Sequence, residues 1–523
     1  MNDGTFPPPF VDMAPNAANG RVDAPEGSLY LIRLSQSHET FRKPELESLA
    51  SLLNITLSIT DYRPSSPFCV IRFNTRASRD ELAKNFIAHS LLSKCLYEFY
   101  ATGTTYDELH ANIKALPPGT WTRYKDASFR FSIDAFCGKR TMAQQREIVE
   151  GFGYLPLKGR IRLKRPDEEF VVFEEWALTP EEHSLLNRGA GSQGTDGDPA
   201  IDSGANAADT DAPRRLFFGR YIADSRRDLI TKHDLKKRPY ISTTSMDAEL
   251  ALVTACLAKA RPGALFLDPF TGTGGFMIAA AELGAIVLGA DIDGRSFRGK
   301  GKGLEKGVGA NFRKYRLEGV FGDCVTADLT NSPFRLPGKP EKDSARWLDG
   351  ITCDPPYGVR EGLKVLGRRV HDSDSTNGRT LHDGPYFVDG VPSHTLPDFI
   401  APKRPYSFNR MLDDIMDFAA RTLVDGGRLA FWMPCANDAD EEFPVPKHDM
   451  LGLKHSCIQV FNKWSRRLLV YERVAGDVAE DRVSGVGGLS VGGPAGHKAD
   501  ELNHFRRMYF RGFAEGTAKN DHG

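Results

Sequence analysis

The chain has 523 residues, 40% of them hydrophobic and 26% charged, with a formal net charge of −1. That length exceeds one ordinary core and the composition is that of a globular protein of two or three domains. No apolar run approaches the ~20 residues of a membrane helix, the start "MNDGTFPPPF" lacks the basic and apolar regions of a secretory leader, and the eight cysteines stand apart with no C-x-x-C, so we expect no membrane span, disulfide framework or metal site, and a reducing, cytoplasmic compartment.

Residues 1–26 are rich in Pro, Asn, Ala and Gly, and a disordered tail is expected there. "SLYLIRLSQSHETFRKPELESLASLLNI" then reads as a strand, a turn and a helix with Leu46, Leu49, Leu52 and Leu53 on one face. "FCVIRF" at 68–73 predicts a second strand, and "DELAKNFIAHSLLSKCLYEFY" a long amphipathic helix. "SFRFSIDAF" at 128–136 alternates like a strand, and "TMAQQREIVEGF" has a helical pattern. Strands alternating with helices predict a compact α+β module over 27–188. Residues 121–165 hold eleven Lys and Arg against four acids, and 214–240 and 295–316 are also basic. Together these stretches point to a polyanionic partner.

Residues 189–213 contain five Asp and no basic residue, and read as a flexible linker. A second domain is expected over 214–476, interrupted near 366–406 by a polar, Gly- and Pro-rich insertion. Residues 477–523 form a low-complexity and then basic tail.

The second domain opens on "ALFLDPFTGTGGFMIAAAELGAIVLGADID" at 264–293. ALFLD is a buried strand, the glycines make a turn, FMIAAAEL is a helix closed by Gly284, and AIVLGAD is a second buried strand. Gly272, Gly274 and Gly275 allow a ligand to approach the backbone N–H groups at the helix start. Asp291 ends the second strand, 23 residues after Asp268, where an acid can grip ribose hydroxyls. A dinucleotide fingerprint would need a third glycine where this chain has Phe276-Met277-Ile278, and Asp268 would repel a pyrophosphate. The same acid can accept from an ammonium, which favours S-adenosylmethionine (SAM) over NAD. Pro269, Phe270 and Ile292 flank these acids and are assigned with them to the cofactor. "EGVFGDC" places Asp323, followed by Cys324, where a third strand would end, within reach of an adenine amino group.

"LDGITCDPPYGVRE" ends a fourth strand at Asp354, on the carboxyl edge where ligands bind in open α/β sheets. An exocyclic amino group on a base is a poor nucleophile because its lone pair is delocalised into the ring. The Asp354 carboxylate and the Pro355 carbonyl can hold both N–H bonds and turn the lone pair outward, the Pro355-Pro356 pair fixing the geometry. Tyr357 can stack on the base. "GGRLAFWMP" predicts a fifth strand, and "CIQVF" with "RLLVYERV" a closing antiparallel hairpin.

The four letters resemble the amino-methyltransferase motif [DNS]-P-P-[YFW]. "FGRYIADSRRDLITKHDLKKRPYISTTSMDAEL", "DPFTGTGG", "DPPYGVRE", "GGRLAFWMP" and "KWSRRLLVYERV" together resemble the catalytic subunit family of the eukaryotic tRNA (guanine-10-N2)-methyltransferases. "HETFRKPELESL" and "LPLKGRIRLKRPDEEFVV" resemble its N-terminal half. The resemblance implies a Rossmann-like SAM-dependent methyltransferase domain behind a ferredoxin-like and THUMP RNA-binding module. It further implies tRNA as substrate, and Thr244, Ser245 and Met246 lining the methionine end of SAM. The stretch from Thr244 to Asp247 also fits a helix capping box. A small zinc-binding activator subunit is implied as partner, and the sheet edge near Leu317–Phe321 would be its docking strand. Where the family's glycine loop commonly ends Gly-Ser, this chain has Gly274-Gly275. Methylation of adenine N6 or of a protein glutamine amide uses the same acceptor geometry, and a catalytically silent RNA-binding scaffold is a third reading; retention of Asp268, Asp291, Asp323 and the DPPY stretch argues against the last.

Overall fold

The computed structural model describes residues 28–74, 79–177, 212–299, 306–336, 346–358, 363–366, 387–396, 399–400, 402–436, 445–461 and 464–475. The two tails, most of the linker, the centre of the insertion, and Arg360 and Glu361 lie outside the described residues.

Among the described residues the first sheet has seven strands: β1 (Leu29–Leu34), β2 (Leu57–Tyr62), β3 (Phe68–Phe73), β4 (Ser93–Gly103), β5 (Phe129–Phe136), β6 (Glu168–Glu175) and β7 (Arg215–Asp224). Their spatial order is β2-β3-β1-β4-β7-β6-β5. Helix α1 (Glu39–Leu52) presents Phe41, Leu46 and Leu49 to the core. Helix α2 covers Arg79–Ile87, and α3 (Tyr106–Lys114) buries Leu109 and Ile113. Helix α4 (Met142–Glu150) begins with a reciprocal capping box between Thr141 and Gln144.

Two expectations about the N-terminal unit are corrected by the structure. The long helix expected over 80–100 ends at Ile87, and "SKCLYEFYATG" is the 11-residue strand β4. The cause is a long-range contact. The buried Glu45 carboxylate on α1 accepts from Ser90 Oγ (2.7 Å) and from the Leu91 and Leu92 N–H groups (2.7 and 3.2 Å), so it turns the chain out of the helix. The second correction concerns the domain boundary. Residues 215–224 follow the linker but pair with β4 and β6 inside the first sheet, so the N-terminal unit takes one of its interior strands from beyond the linker. Phe217 and Phe218 are buried on opposite faces of that sheet, in separate clusters.

The second sheet contains β8 (Leu265–Asp268), β9 (Ile286–Asp291), β10 (Phe321–Thr326), β11 (Leu348–Cys353), β16 (Leu423–Ala436), β17 (Leu451–Val460) and β18 (Trp464–Arg473). Its order is β10-β9-β8-β11-β16-β18-β17. The first five strands run parallel and the last two close the sheet as an antiparallel hairpin. Within the insertion, β12 (Lys364–Leu366) pairs with β15 (Lys403–Pro405), which ties its ends together. A small hairpin, β13 (Phe387–Val388) and β14 (Val391–Pro392), lies between them. Helices α5 (Ala248–Leu257) and α6 (Gly275–Glu282) are apolar all round and buried along their length. Helix α7 covers Val308–Tyr315, and α8 (Phe408–Thr422) buries an apolar stripe from Phe408 to Ala420.

Helix α5 starts after Asp247, whose carboxylate accepts from the Glu249 and Leu250 N–H groups. Thr244 is therefore not the cap, and the capping-box reading of 244–247 is corrected by three residues.

The two units share one core. Phe41, Leu46 and Leu49 of α1 lie in the same buried cluster as Leu250, Val253, Trp432 and Cys457 of the second unit, with Phe41 and Trp432 ring centroids 5.8 Å apart. Buried Arg428 on β16 donates to Ser48 Oγ on α1 (2.9 Å), to the Leu257 carbonyl (2.7 Å) and to Glu472 (3.0 Å). Thr40 Oγ1 donates to the Ile458 carbonyl (2.8 Å) and accepts from its N–H (3.0 Å), satisfying the open edge of β17.

Candidate active site

The site lies where β8, β9 and β11 end. Their parallel register brings Asp268, Asp291 and Asp354 to one edge of the sheet. Between β8 and α6 the turn is tied down by its own backbone: Thr271 N–H donates to the Ala290 carbonyl (2.9 Å) and Gly274 N–H to the Thr271 carbonyl (2.7 Å). Gly272 and Gly274 hold φ of +50° and +79°, a left-handed conformation that other residues adopt at a cost. Gly289 on β9 is needed for another reason, since a Cβ there would meet Thr271 Oγ1 at 2.5 Å, Met277 Sδ at 2.7 Å and Cys324 Sγ at 2.8 Å.

Asp268 is 2% exposed. One carboxylate oxygen accepts from the Phe270 N–H (3.0 Å), and Oδ2 is buried with no hydrogen-bond partner in the protein. Burial, and then repulsion from Asp291 and Asp354, push this carboxyl well above its ordinary range. A lone buried acceptor of this kind calls for a donor from a ligand, and a cation meets the charge as well. Asp291 accepts from the Gly272 N–H (2.8 Å) and the Asp293 N–H (2.8 Å). Burial raises its pKa, and those backbone amides partly offset the shift. Each carboxylate oxygen has two lone pairs, so Asp291 keeps acceptor capacity for ribose hydroxyls.

A strap at 240–246 crosses the turn. Tyr240 N–H donates to Asn311 Oδ1 (2.9 Å), and Asn311 Nδ2 donates to the Tyr240 and Thr273 carbonyls (2.8 and 3.3 Å). The Tyr240 hydroxyl donates to the Ser296 carbonyl. Ser245 Oγ lies 2.8 Å from Thr273 Oγ1, which places Ser245 on the glycine turn. Thr244 is exposed and bonded to Ser242, while Met246 is 5% exposed and packed in the main core. Thr273 and Asn311 were missed in the sequence. A single Asn in a basic amphipathic helix carries no signal that it will clamp a turn 38 residues away.

Other sequence-predicted residues stand as follows. Pro269 is buried, Phe270 half-buried against the apolar cluster that includes Leu267, Ile351 and Leu429, and Ile292 half-buried beside Asp291. Cys324 reaches Met277 Sδ at 3.9 Å under the turn. Asp323 does not end its strand: β10 runs on to Thr326, and Asp323 sits at an irregularity in the pairing with φ +102°. Its exposed carboxylate accepts from the Cys324 N–H (2.7 Å). The expected edge near Leu317–Phe321 is displaced likewise. Residues 318–320 form a short helical turn packed on the core, and the outermost strand of the sheet is 321–326.

On the acceptor side, Asp354 follows β11 directly and accepts from the Tyr357 hydroxyl at 2.5 Å. Burial raises the Asp354 carboxyl, while nearby Arg466 and this hydrogen bond pull it back down. Pro355 is buried and Pro356 exposed. The Tyr357 ring meets Trp464 edge-on, centroids 6.2 Å apart, and Trp464 stacks on Phe461 at 4.7 Å. These aromatic faces border the carboxylate. The arrangement can hold a cationic amino-acid moiety and a ribose at the glycine turn, and a planar amino-bearing base at Asp354.

Asp291→Ala is expected to weaken SAM binding by roughly 10- to 100-fold, the worth of hydrogen bonds to a charged acceptor. Calorimetric titration checks it, and an unchanged dissociation constant would remove Asp291 from the ribose site.

A family model described as the Tmrp11 THUMP N-terminal domain matches residues 28–187, and one described as an RMKL-like methyltransferase domain matches residues 236–323. The chain is 38% identical to the tRNA (guanine(10)-N(2))-methyltransferase of Saccharomyces cerevisiae, covering 92% of this chain and 99% of that protein. It is 31% identical to the protein of the same name from Schizosaccharomyces pombe, over 94% and 98% of the two chains. TrmN from Thermus thermophilus, a solved structure, is similar at 17% identity and a TM-score of 0.35, covering 85% of this chain and 100% of that one.

Proposed function

Because the chain belongs to the tRNA (guanine(10)-N(2))-methyltransferase family, we propose that it transfers a methyl group from SAM to the exocyclic N2 amino group of guanine 10 in tRNA. The single observation that carries the reading is the juxtaposition of Asp354-Pro355-Pro356-Tyr357 with an acidic glycine turn on adjacent parallel strands.

The residues present fit SAM. The unpartnered Asp268 Oδ2 suits its ammonium, Asp291 its ribose, and the Gly272–Gly274 turn with Ser245 and Thr273 leaves backbone close to the methionine end. When bound, SAM supplies a methyl group made electrophilic by its sulfonium. The Asp354 carboxylate accepts one N2–H and the Pro355 carbonyl the other, so the nitrogen lone pair is free to attack. As N2 gains positive charge, the same carboxylate stabilises it and takes the departing proton. Tyr357, pinned by its hydroxyl, and Trp464 provide faces for the base.

The N-terminal unit supplies the polyanion surface in this reading. Lys158, Arg160, Arg162, Lys164 and Arg165 are all exposed beside the outer strand β5, with the bridge from Phe129 to Ile161 holding their segment against it. We assign the chain to the cytoplasm, a reducing compartment in which eight isolated cysteines stay as thiols. The test of the function is transfer of labelled methyl from SAM to unmodified tRNA followed by nucleoside analysis; no transfer, or label on any atom other than guanine N2, overturns it.

The activator subunit belongs to this proposal as well. Strand β10 is the outermost of its sheet, and Gly322, Asp323, Val325 and Thr326 are exposed along it. A partner strand added here would satisfy its open backbone groups and cover Val325. The chain expressed alone is therefore expected to aggregate or bind SAM poorly. Monodisperse protein with full transfer activity and no second subunit would defeat the idea.

A further inference from the structure

We propose that Arg466 reads O6 of the target guanine, so that it and Asp354 together select the base and its orientation; the inference rests on the guanine-N2 reading above. Arg466 is on β18, opposite Pro434 of β16 and Gln459 of β17. Its Nε donates to Gln459 Oε1 at 2.6 Å. The guanidinium lies over the Trp432 ring at 4.6 Å and the Phe461 ring at 5.5 Å. It also contacts the Tyr357 hydroxyl, which in turn donates to Asp354. Gln459 is itself steadied, because the adjacent Ile458 is bound through both backbone groups to Thr40 of the N-terminal unit. A rigid cation is thus held beside the acceptor carboxylate.

That pairing has a defined complement. Ionised Asp354 only accepts hydrogen bonds and Arg466 only donates them. Next to the reacting amino group, guanine presents N1–H and then O6. An acceptor followed by a donor matches that order, and arginine is well suited to guanine O6. With adenine N6 in the same slot the next ring atom is a lone pair, N1, facing the carboxylate, and C2–H faces the guanidinium. Cytosine N4 brings the N3 lone pair against the carboxylate. Buried polar groups left opposed or unpaired in this way reject a base strongly.

A merely structural Arg466 would brace Tyr357 without touching the base, and a substituted nucleotide separates the two roles. The full chain, in its active preparation, is assayed on tRNA carrying guanosine or 6-thioguanosine at position 10, where sulfur replaces the O6 acceptor but N1–H and N2 remain. Wild-type kcat/KM is expected to fall about tenfold on the thio tRNA, the scale of one weakened hydrogen bond to a charged donor. Arg466→Met should lose about 100-fold on guanosine tRNA, keep its SAM affinity by calorimetry, and treat the two tRNAs alike. If Arg466→Met fails to bind SAM, Arg466→Lys answers the same question, since it keeps the charge, loses the fork and should show a reduced thio penalty. A wild type indifferent to sulfur, or a variant that keeps the full wild-type thio penalty, overturns the proposal. Failure of the wild type to form any N2-methylguanosine would count against the functional reading instead.

Discussion

Asp354→Ala is expected to lower the methyl-transfer rate by about 10²- to 10³-fold, the loss seen when one preorganised electrostatic partner of a transition state is removed, while SAM affinity stays close to wild type. The asymmetry follows from place. Asp354 lies at the end of β11 with Tyr357 on one oxygen, facing the acceptor side, whereas the glycine turn is built from β8 and β9. An acceptor that matters most as N2 becomes positive lowers kcat and kcat/KM together. The pH dependence has a definite sign. The proposed reaction needs Asp354 ionised, and burial raises its pKa above the ordinary 3.8, with Arg466 and Tyr357 opposing the rise. Asp268 at the end of neighbouring β8 and Cys353, the last residue of β11 itself, are also in electrostatic contact with it. The single-turnover rate is therefore expected to fall, as pH is lowered, at a higher pH than a solvent-exposed aspartate would give. Rapid-quench assays on tRNA across that range, with calorimetry on the variant, measure both effects. Wild-type turnover in Asp354→Ala would remove the residue from the chemistry.

A chain that begins at residue 214 is expected not to fold into a soluble SAM-binding domain. Strand β7 would be left without β4 and β6, exposing Phe217 and Phe218 and a line of unpaired backbone groups. Starting later, after Asp224, does not rescue it. Helix α1 covers Trp432, Leu250 and Val253, and each such side chain returned to water costs about 1.5–3 kcal/mol. A handful of them approaches the whole stability of a domain, about 5–15 kcal/mol. Arg428 would also lose Ser48, one of its buried partners. Size-exclusion chromatography and SAM titration of both truncations, each compared with the full chain in the same preparation, test this. A monodisperse fragment over 214–476 with full SAM affinity would show that the shared core is dispensable.

The sequence by itself determined the parts whose physics is local. Buried strands ALFLD, AIVLGAD and LDGITC, the glycine turn between Asp268 and α6, and the DPPY stretch were legible because hydrophobic period and turn chemistry act within a few residues. The closing hairpin was legible for the same reason, from two apolar runs in tandem. Tertiary structure alone decided what depends on distant contacts. Glu45 ended α2 and so made β4 from residues that read as helix, because a buried carboxylate must find donors wherever they are. β7 joined the sheet on the far side of the linker because a strand pairs with whatever edge is open in space, and composition marks only the linker. The same holds within the site. Asn311 and Thr273 came to the glycine turn, and Arg466 to Asp354, through strands and helices far apart in the chain, so their places follow from sheet order and burial rather than from spacing.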